Sequence, residues 1–193
     1  MPDANYAKSD GTIVNTADAI ERVTSAYKTI EVEHANIHEG VLFETYGKFT
    51  LVANTGTKSI TFKTPTTGYV HFRPTTLVSS ADKLTVEYYE GATVTAATGT
   101  ALTAVNHNRG SSKTSGTTIL DAPTITAAGT KFMQIYIPGA TGTGGTRSGS
   151  TAGLSGSEWV LKQNTVYVVK FTNASTSAND VQANFQWYEE TAG

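Results

Sequence analysis

The chain has 193 residues and a mass of 20.4 kDa, a length that fits one domain with a terminal arm. Only 16% of residues are charged and 38% are hydrophobic, and Thr, Ser, Ala and Gly fill the remainder, a bias toward extended structure joined by turns. The net charge of −2 gives no attraction to phosphate backbones, the absence of cysteine removes disulfides, thiolate zinc sites and cysteine nucleophiles, and no run approaches the ~18 apolar residues of a membrane span. The start, Met1-Pro2-Asp3-Ala4-Asn5, has neither the basic nor the apolar part of a signal peptide, so a soluble chain made in the cytoplasm is expected.

Residues 1–28 differ from the rest. Thr16 is placed to cap a short helix, with Asp18 near its positive end and Ile20, Val23 and Tyr27 on one face. The same residues suit an extended arm that orders only against a neighbour. From Thr29 the period becomes two: Ile30, Val32 and His34 alternate with Glu31, Glu33 and Ala35, which predicts the first strand of a domain over 29–193.

Further strands are predicted over 41–46, 48–53, 58–63, 69–73, 83–89, 117–120, 131–137, 158–161, 165–172 and 181–189. Asn54-Thr55-Gly56-Thr57 predicts a hairpin from Phe49 to Phe62 with the glycine at positive φ. Pro65 with Gly68, and Lys162-Gln163-Asn164, mark two more turns. In the last strand Val181, Ala183, Phe185 and Trp187 share a core face, and Gln182, Asn184, Gln186 and Tyr188 the other. Residues 92–115 and 139–157 are irregular, the second almost wholly Gly, Thr, Ser and Ala, as in loops that move or are ordered by a partner. So many short strands without a long helical pattern predict an all-β fold: one β-sandwich of jelly-roll or immunoglobulin-like type.

Chemistry-bearing patterns are few. His34, His38 and Glu39 form H-x-x-x-H-E, but a zincin carries its glutamate between the histidines, and on a strand the two rings would stand ~13 Å apart. His71 and His107 have the side chain a Ser-His-Asp triad needs, yet Gly153-Leu154-Ser155-Gly156-Ser157 misses the G-x-S-x-G elbow. Glu87 with Glu90, or Glu189 with Glu190, would be the carboxylate pair of a glycosidase, and each also reads as a solvated strand end. Gly142 to Arg147 lacks the lysine and following helix of a phosphate loop. Asn173-Ala174-Ser175 is a glycosylation sequon, discounted because no signal peptide is expected. Tyr88, Tyr89, Trp159, Trp187 and Tyr188 would serve either as a sugar-stacking platform or as core. No catalytic, metal or cofactor-binding residue is assigned on these patterns.

Three stretches carry a resemblance: Val32 to Gly40, Asn106 to Ser112, and a C-terminal run with Gly144-Gly145, Arg147, Glu158 to Thr165 and Asn184 to Glu189. Together they resemble the head decoration (cement) proteins of tailed bacteriophages. The resemblance implies a non-enzymatic, trimeric β-sandwich that sits on the capsid exterior of the virion and braces the major capsid protein, with no nucleic acid, membrane or cofactor. It transfers no residue list, and residues 1–28 lie outside it. The alternatives are a receptor- or carbohydrate-binding jelly roll of a phage fibre or tail, and a polysaccharide hydrolase.

Overall fold

The computed structural model describes residues 5–7, 13–15, 32–79, 83–137 and 158–190. The chain divides into two compact units, Met1–Ala35 and Asn36–Gly193. In the first, β1 (Asn5–Ala7) pairs antiparallel with β2 (Ile13–Asn15), placing Tyr6 opposite Val14. The short helix expected over 16–27 and the 139–157 loop lie outside the described residues.

The expected first strand is a helix instead. α1 (Val32–Glu39) has Glu33 in its first turn and His38 in its last, each suited to the dipole at its end. Its C-terminus closes in a Schellman motif: Gly40 N–H donates to the Ile37 carbonyl and Val41 N–H to that of Asn36, both at 3.0 Å, with Gly40 at φ 68°. The alternation over 30–35 is too short to outweigh that glycine stop, which is the sequence signal for the helix end.

The second unit is a sandwich of two antiparallel sheets. The six-stranded sheet runs β12-β6-β14-β4-β10-β8 and the five-stranded sheet β13-β5-β15-β3-β9. Their long strands are β3 (Leu42–Leu51), β4 (Thr57–Lys63), β5 (Tyr69–Ser79), β6 (Leu84–Glu90), β12 (Thr130–Ile137), β13 (Trp159–Leu161), β14 (Val166–Asn173) and β15 (Asn179–Glu190). In chain order these eight switch sheets at every step except from β6 to β12, so that β13-β5-β15-β3 faces β12-β6-β14-β4, the double Greek key of a jelly roll. Between β6 and β12 the chain inserts β7 (Thr93–Val94), β8 (Thr100–Leu102), β9 (Val105–Asn106), β10 (Thr118–Asp121) and β11 (Ile125–Ala127). The segment 92–115 is therefore short edge strands and turns, more regular than its composition suggested.

The predicted Phe49–Phe62 hairpin does not form, because β3 and β4 belong to different sheets and the link between them crosses the sandwich. Its positive φ angles fall on Asn54 and Thr55, at 54° and 75°. Gly56 is required for a different reason: a Cβ there would run into the Val52 carbonyl.

The crossing is held by Asn173, whose side chain is fully buried. Its Nδ2 donates to the carbonyls of Val52 at 2.9 Å and Ser177 at 2.8 Å, and its Oδ1 accepts from Ser175 N–H at 3.0 Å. The sequon asparagine is thus a structural clamp with its amide nitrogen inside the protein. Asn173→Ala is expected to cost about 2 kcal/mol, since it leaves those carbonyls unpaired. Asn173→Asp should cost at least as much by aiming a carboxylate at them. Urea unfolding of both variants reads this, and a loss under about 0.5 kcal/mol for either would refute the clamp.

The core lies between the inner faces. From the six-stranded sheet come Ile60, Phe62, Leu84, Val86, Tyr88, Ile119, Tyr167, Val169 and Phe171, and from the five-stranded sheet Phe43, Phe72, Leu77, Val181, Phe185 and Trp187. The face predicted for the last strand is the inner face of β15.

Candidate interaction face

Two carboxylate clusters and one aromatic corner show what the sequence candidates do. Glu189 closes the inner end of β15. It accepts hydrogen bonds from Trp187 Nε1 at 3.0 Å, Ser115 Oγ at 2.6 Å, Gly116 N–H at 2.8 Å, Thr117 N–H at 3.0 Å and Thr117 Oγ1 at 2.9 Å. Burial pushes its carboxyl up, but these donors outweigh burial and hold it below the usual range. Glu190, its neighbour, points to the opposite face of the strand, toward His71, and Glu189 is already saturated by its donors.

Glu87 and Glu90 are likewise three positions apart on β6 and face opposite ways. Glu87 meets Lys131 Nζ at 2.9 Å, and Glu90 meets Lys162 Nζ at 2.6 Å and accepts from Tyr167 OH at 2.9 Å. Those lysine hydrogen bonds hold both carboxyls low. Burial pushes the Tyr167 hydroxyl up to about 12.

The histidines are also engaged. His71 Nδ1 lies 2.8 Å from Glu158 Oε1, and its ring stacks on Tyr188 at 4.3 Å between centroids and 12° between planes. Tyr188 OH donates to the same Glu158 oxygen at 2.9 Å. Burial and then that carboxylate push the Tyr188 hydroxyl up to about 12; burial raises Glu158, but the His71 and Tyr188 hydrogen bonds bring it below its usual range. His107 Nε2 lies 3.0 Å from Glu44 Oε2.

His34 and His38 sit one turn apart on α1, about 6 Å along its axis, so the strand-based objection to a shared ion fails. Even so, no group of three or more His, Asp or Glu side chains is placed to hold a metal among the described residues. The Gly142 to Arg147 stretch and the Gly153 to Ser157 stretch lie outside the described residues.

The five aromatics considered as a platform do not form one. Trp187, Tyr88 and Tyr188 are buried, and Tyr89 points away from Tyr88. Trp159 joins Tyr88 at 6.0 Å and Phe132 at 5.9 Å, closing the open side of the sandwich between edge strands β12 and β13.

What the sequence did not reveal is the outer face of the five-stranded sheet. Register puts Tyr69, His71, Arg73, Val160, Glu44, Tyr46 and Val105 on it together, opposite the Phe43–Trp187–Phe72 row of the core. Tyr46 is 64% exposed, Val160 58%, Tyr69 49% and Val105 39%. They form two apolar corners, β13–β5 and β3–β9, separated by up to four strand spacings, ~19 Å.

The strip between the corners is polar and already paired. Asn184 Nδ2 donates to Glu44 Oε1 at 2.9 Å, while His107 holds the other Glu44 oxygen. Exposed apolar side chains around satisfied polar ones suit a protein partner, because docking removes apolar area from water without orphaning donors or acceptors. Single-sequence patterning cannot find such a face: Tyr46 and Tyr69 become neighbours of this strip only through pairing with β15, more than 100 residues later in the chain.

The fold is an all-β jelly-roll module whose five-stranded sheet exposes Tyr46, Val105, Tyr69 and Val160 on its outer face. No family model matches the chain, and no curated protein or solved structure matches it.

Proposed function

We propose that this chain is a non-enzymatic decoration (cement) protein of a tailed-bacteriophage head, which docks on the major capsid protein at the capsid exterior and stabilises contacts between neighbouring capsid subunits. The observation that carries this reading is the outer face of the five-stranded sheet, with Tyr46, Val105, Tyr69 and Val160 exposed around a prearranged polar strip. The jelly-roll topology supports it as a rigid platform, and the resemblance over Glu31 to Glu190 supplies the head as the partner.

As a homotrimer the protein would present three copies of the face at once. Modest affinity per copy then suffices, because simultaneous engagement multiplies avidity by ~10² or more. The arm over 1–28 and the 139–157 segment are the further contacts in this scheme.

The test is co-sedimentation with expanded capsids of the phage that carries this chain. Tyr46→Glu with Val160→Glu is expected to lower occupancy at least ~10-fold, the equivalent of 1.4 kcal/mol, with an unchanged melting temperature. Deleting residues 1–28 should abolish retention and leave the sandwich folded. Full occupancy by the doubly charged variant would overturn the docking face, and fractionation of the wild type away from capsids would overturn the decoration role.

A further inference from the structure

At one end of the sandwich β3 begins, β15 ends, and the turn between β4 and β5 meets the 113–116 segment around a cleft of about 670 Å³. That volume lies inside the ~300–1,000 Å³ range of small-molecule sites. Part of its wall is bare backbone. Gly116 faces Glu189 and Pro65 so closely that a Cβ would stand 3.2 Å from each, and Gly68, at φ 78°, forms the turn leading into Tyr69.

Three charged residues line the cleft: Glu189, Glu190 and Lys113. Both oxygens of Glu189 are occupied by its five donors. That leaves one carboxylate and one ammonium for a ligand. A phosphate or carboxylate ligand calls for several converging cations, and a cationic ligand for surplus acid, so this balance selects a neutral molecule.

Tyr69 supplies the shape. Its ring is half exposed at the cleft and stands directly across the ladder from Glu190, with Cβ atoms ~5 Å apart. His71 Nε2, 3.5 Å from Glu190 Oε2, holds that carboxylate on the same side. An aromatic face beside an acceptor, in a cleft also lined by Thr67, Thr114 and Lys113, matches one apolar ring face edged by hydroxyls.

We propose that this cleft binds a pyranose ring of a neutral saccharide, stacked on Tyr69, with its hydroxyls donating to Glu190 and accepting from Lys113. The site is separate from the sugar-stacking platform considered in the sequence, whose aromatics are in the core or at the β12–β13 edge. It does not rest on the decoration role, and the docking variants leave Tyr69 in place.

The test is a two-dimensional amide NMR titration of the full chain with free hexoses, N-acetylhexosamines and their disaccharides, with inorganic phosphate in parallel. At least one saccharide is expected to give saturable shifts confined to 67–69, 113–116 and 189–190. Tyr69→Ala should weaken that binding at least ~10-fold with an unchanged melting temperature, Tyr69→Phe should retain it, and Glu190→Gln should weaken it less than Tyr69→Ala. The absence of saturation by every saccharide up to about 50 mM, shifts that map elsewhere, stronger binding of phosphate at these amides, or binding insensitive to Tyr69→Ala would each overturn the proposal.

Discussion

Phe62→Ala is expected to lower the unfolding free energy by about 4 kcal/mol and the melting temperature by roughly 10 °C. Phe62 rises from β4 in the six-stranded sheet and is about 1% exposed. Its ring meets three rings of the opposite sheet edge-on: Phe72 at 5.0 Å, Phe185 at 5.1 Å and Trp187 at 6.2 Å. Truncation removes the buried area of one aromatic side chain, and the cavity it leaves is bounded by rings fixed on two strands, so collapse recovers little. Phe62→Leu keeps most of the volume and should cost about 1–2 kcal/mol. Phe132→Ala, at the exposed side of the sandwich, should cost less than Phe62→Ala, because its ring is 41% exposed and already shares its surface with water. Guanidinium unfolding of the three variants reads the order. Equal losses for Phe62→Ala and Phe132→Ala would show that the contact between the sheets is not centred on Phe62.

That contact was partly legible in the sequence and partly not. Val181, Ala183, Phe185 and Trp187 were assigned to one buried face from alternation alone, because a long strand packed on one side must alternate. Alternation likewise places Phe62 on a strand but not beside its true partner: a glycine-containing turn between two alternating runs reads as a hairpin, whereas here the turn carries the chain across the sandwich. Local sequence fixes the turn; whether the two strands then pair depends on the distant strands that occupy their edges, here β14 beside β4 and β15 beside β3. The helix over Val32–Glu39 was lost because six residues of alternation fit either period, while the glycine stop at Gly40 favours one. The exposed outer face and the cleft are invisible to patterning for the same reason. Tyr69 faces Glu190, and Val160 faces His71, only once β5 is paired on both sides.

Glu189→Ala should remove about 3 kcal/mol at neutral pH, a loss set by which of its five donors can find water. Ser115 and Gly116 are partly exposed and can be hydrated. The Thr117 hydroxyl is buried and loses its acceptor, while the buried Thr117 amide and Trp187 indole N–H keep only Ser115 Oγ, at 3.0 and 3.3 Å. Glu189→Gln preserves the shape but turns one acceptor into an amide that confronts donors, and should cost about 2 kcal/mol. The pH dependence identifies the charge. The folded-state pKa of Glu189 lies below its unfolded value, so its contribution is complete above the ordinary glutamate range near ~4.3 and is lost as pH falls through the folded-state value. Glu87, Glu90 and Glu158 are lowered too, so the wild type alone loses stability in acid from several sources. The difference between wild type and Glu189→Gln isolates one of them. It should be constant from about pH 7 to 5 and shrink below about pH 4. Trp187→Phe, which deletes the indole donor, should be less than additive with Glu189→Gln because both remove the same hydrogen bond. A gap that holds constant into strong acid would mean that Glu189 acts through shape rather than charge, and that the loop over 115–117 is anchored without an ionised carboxylate.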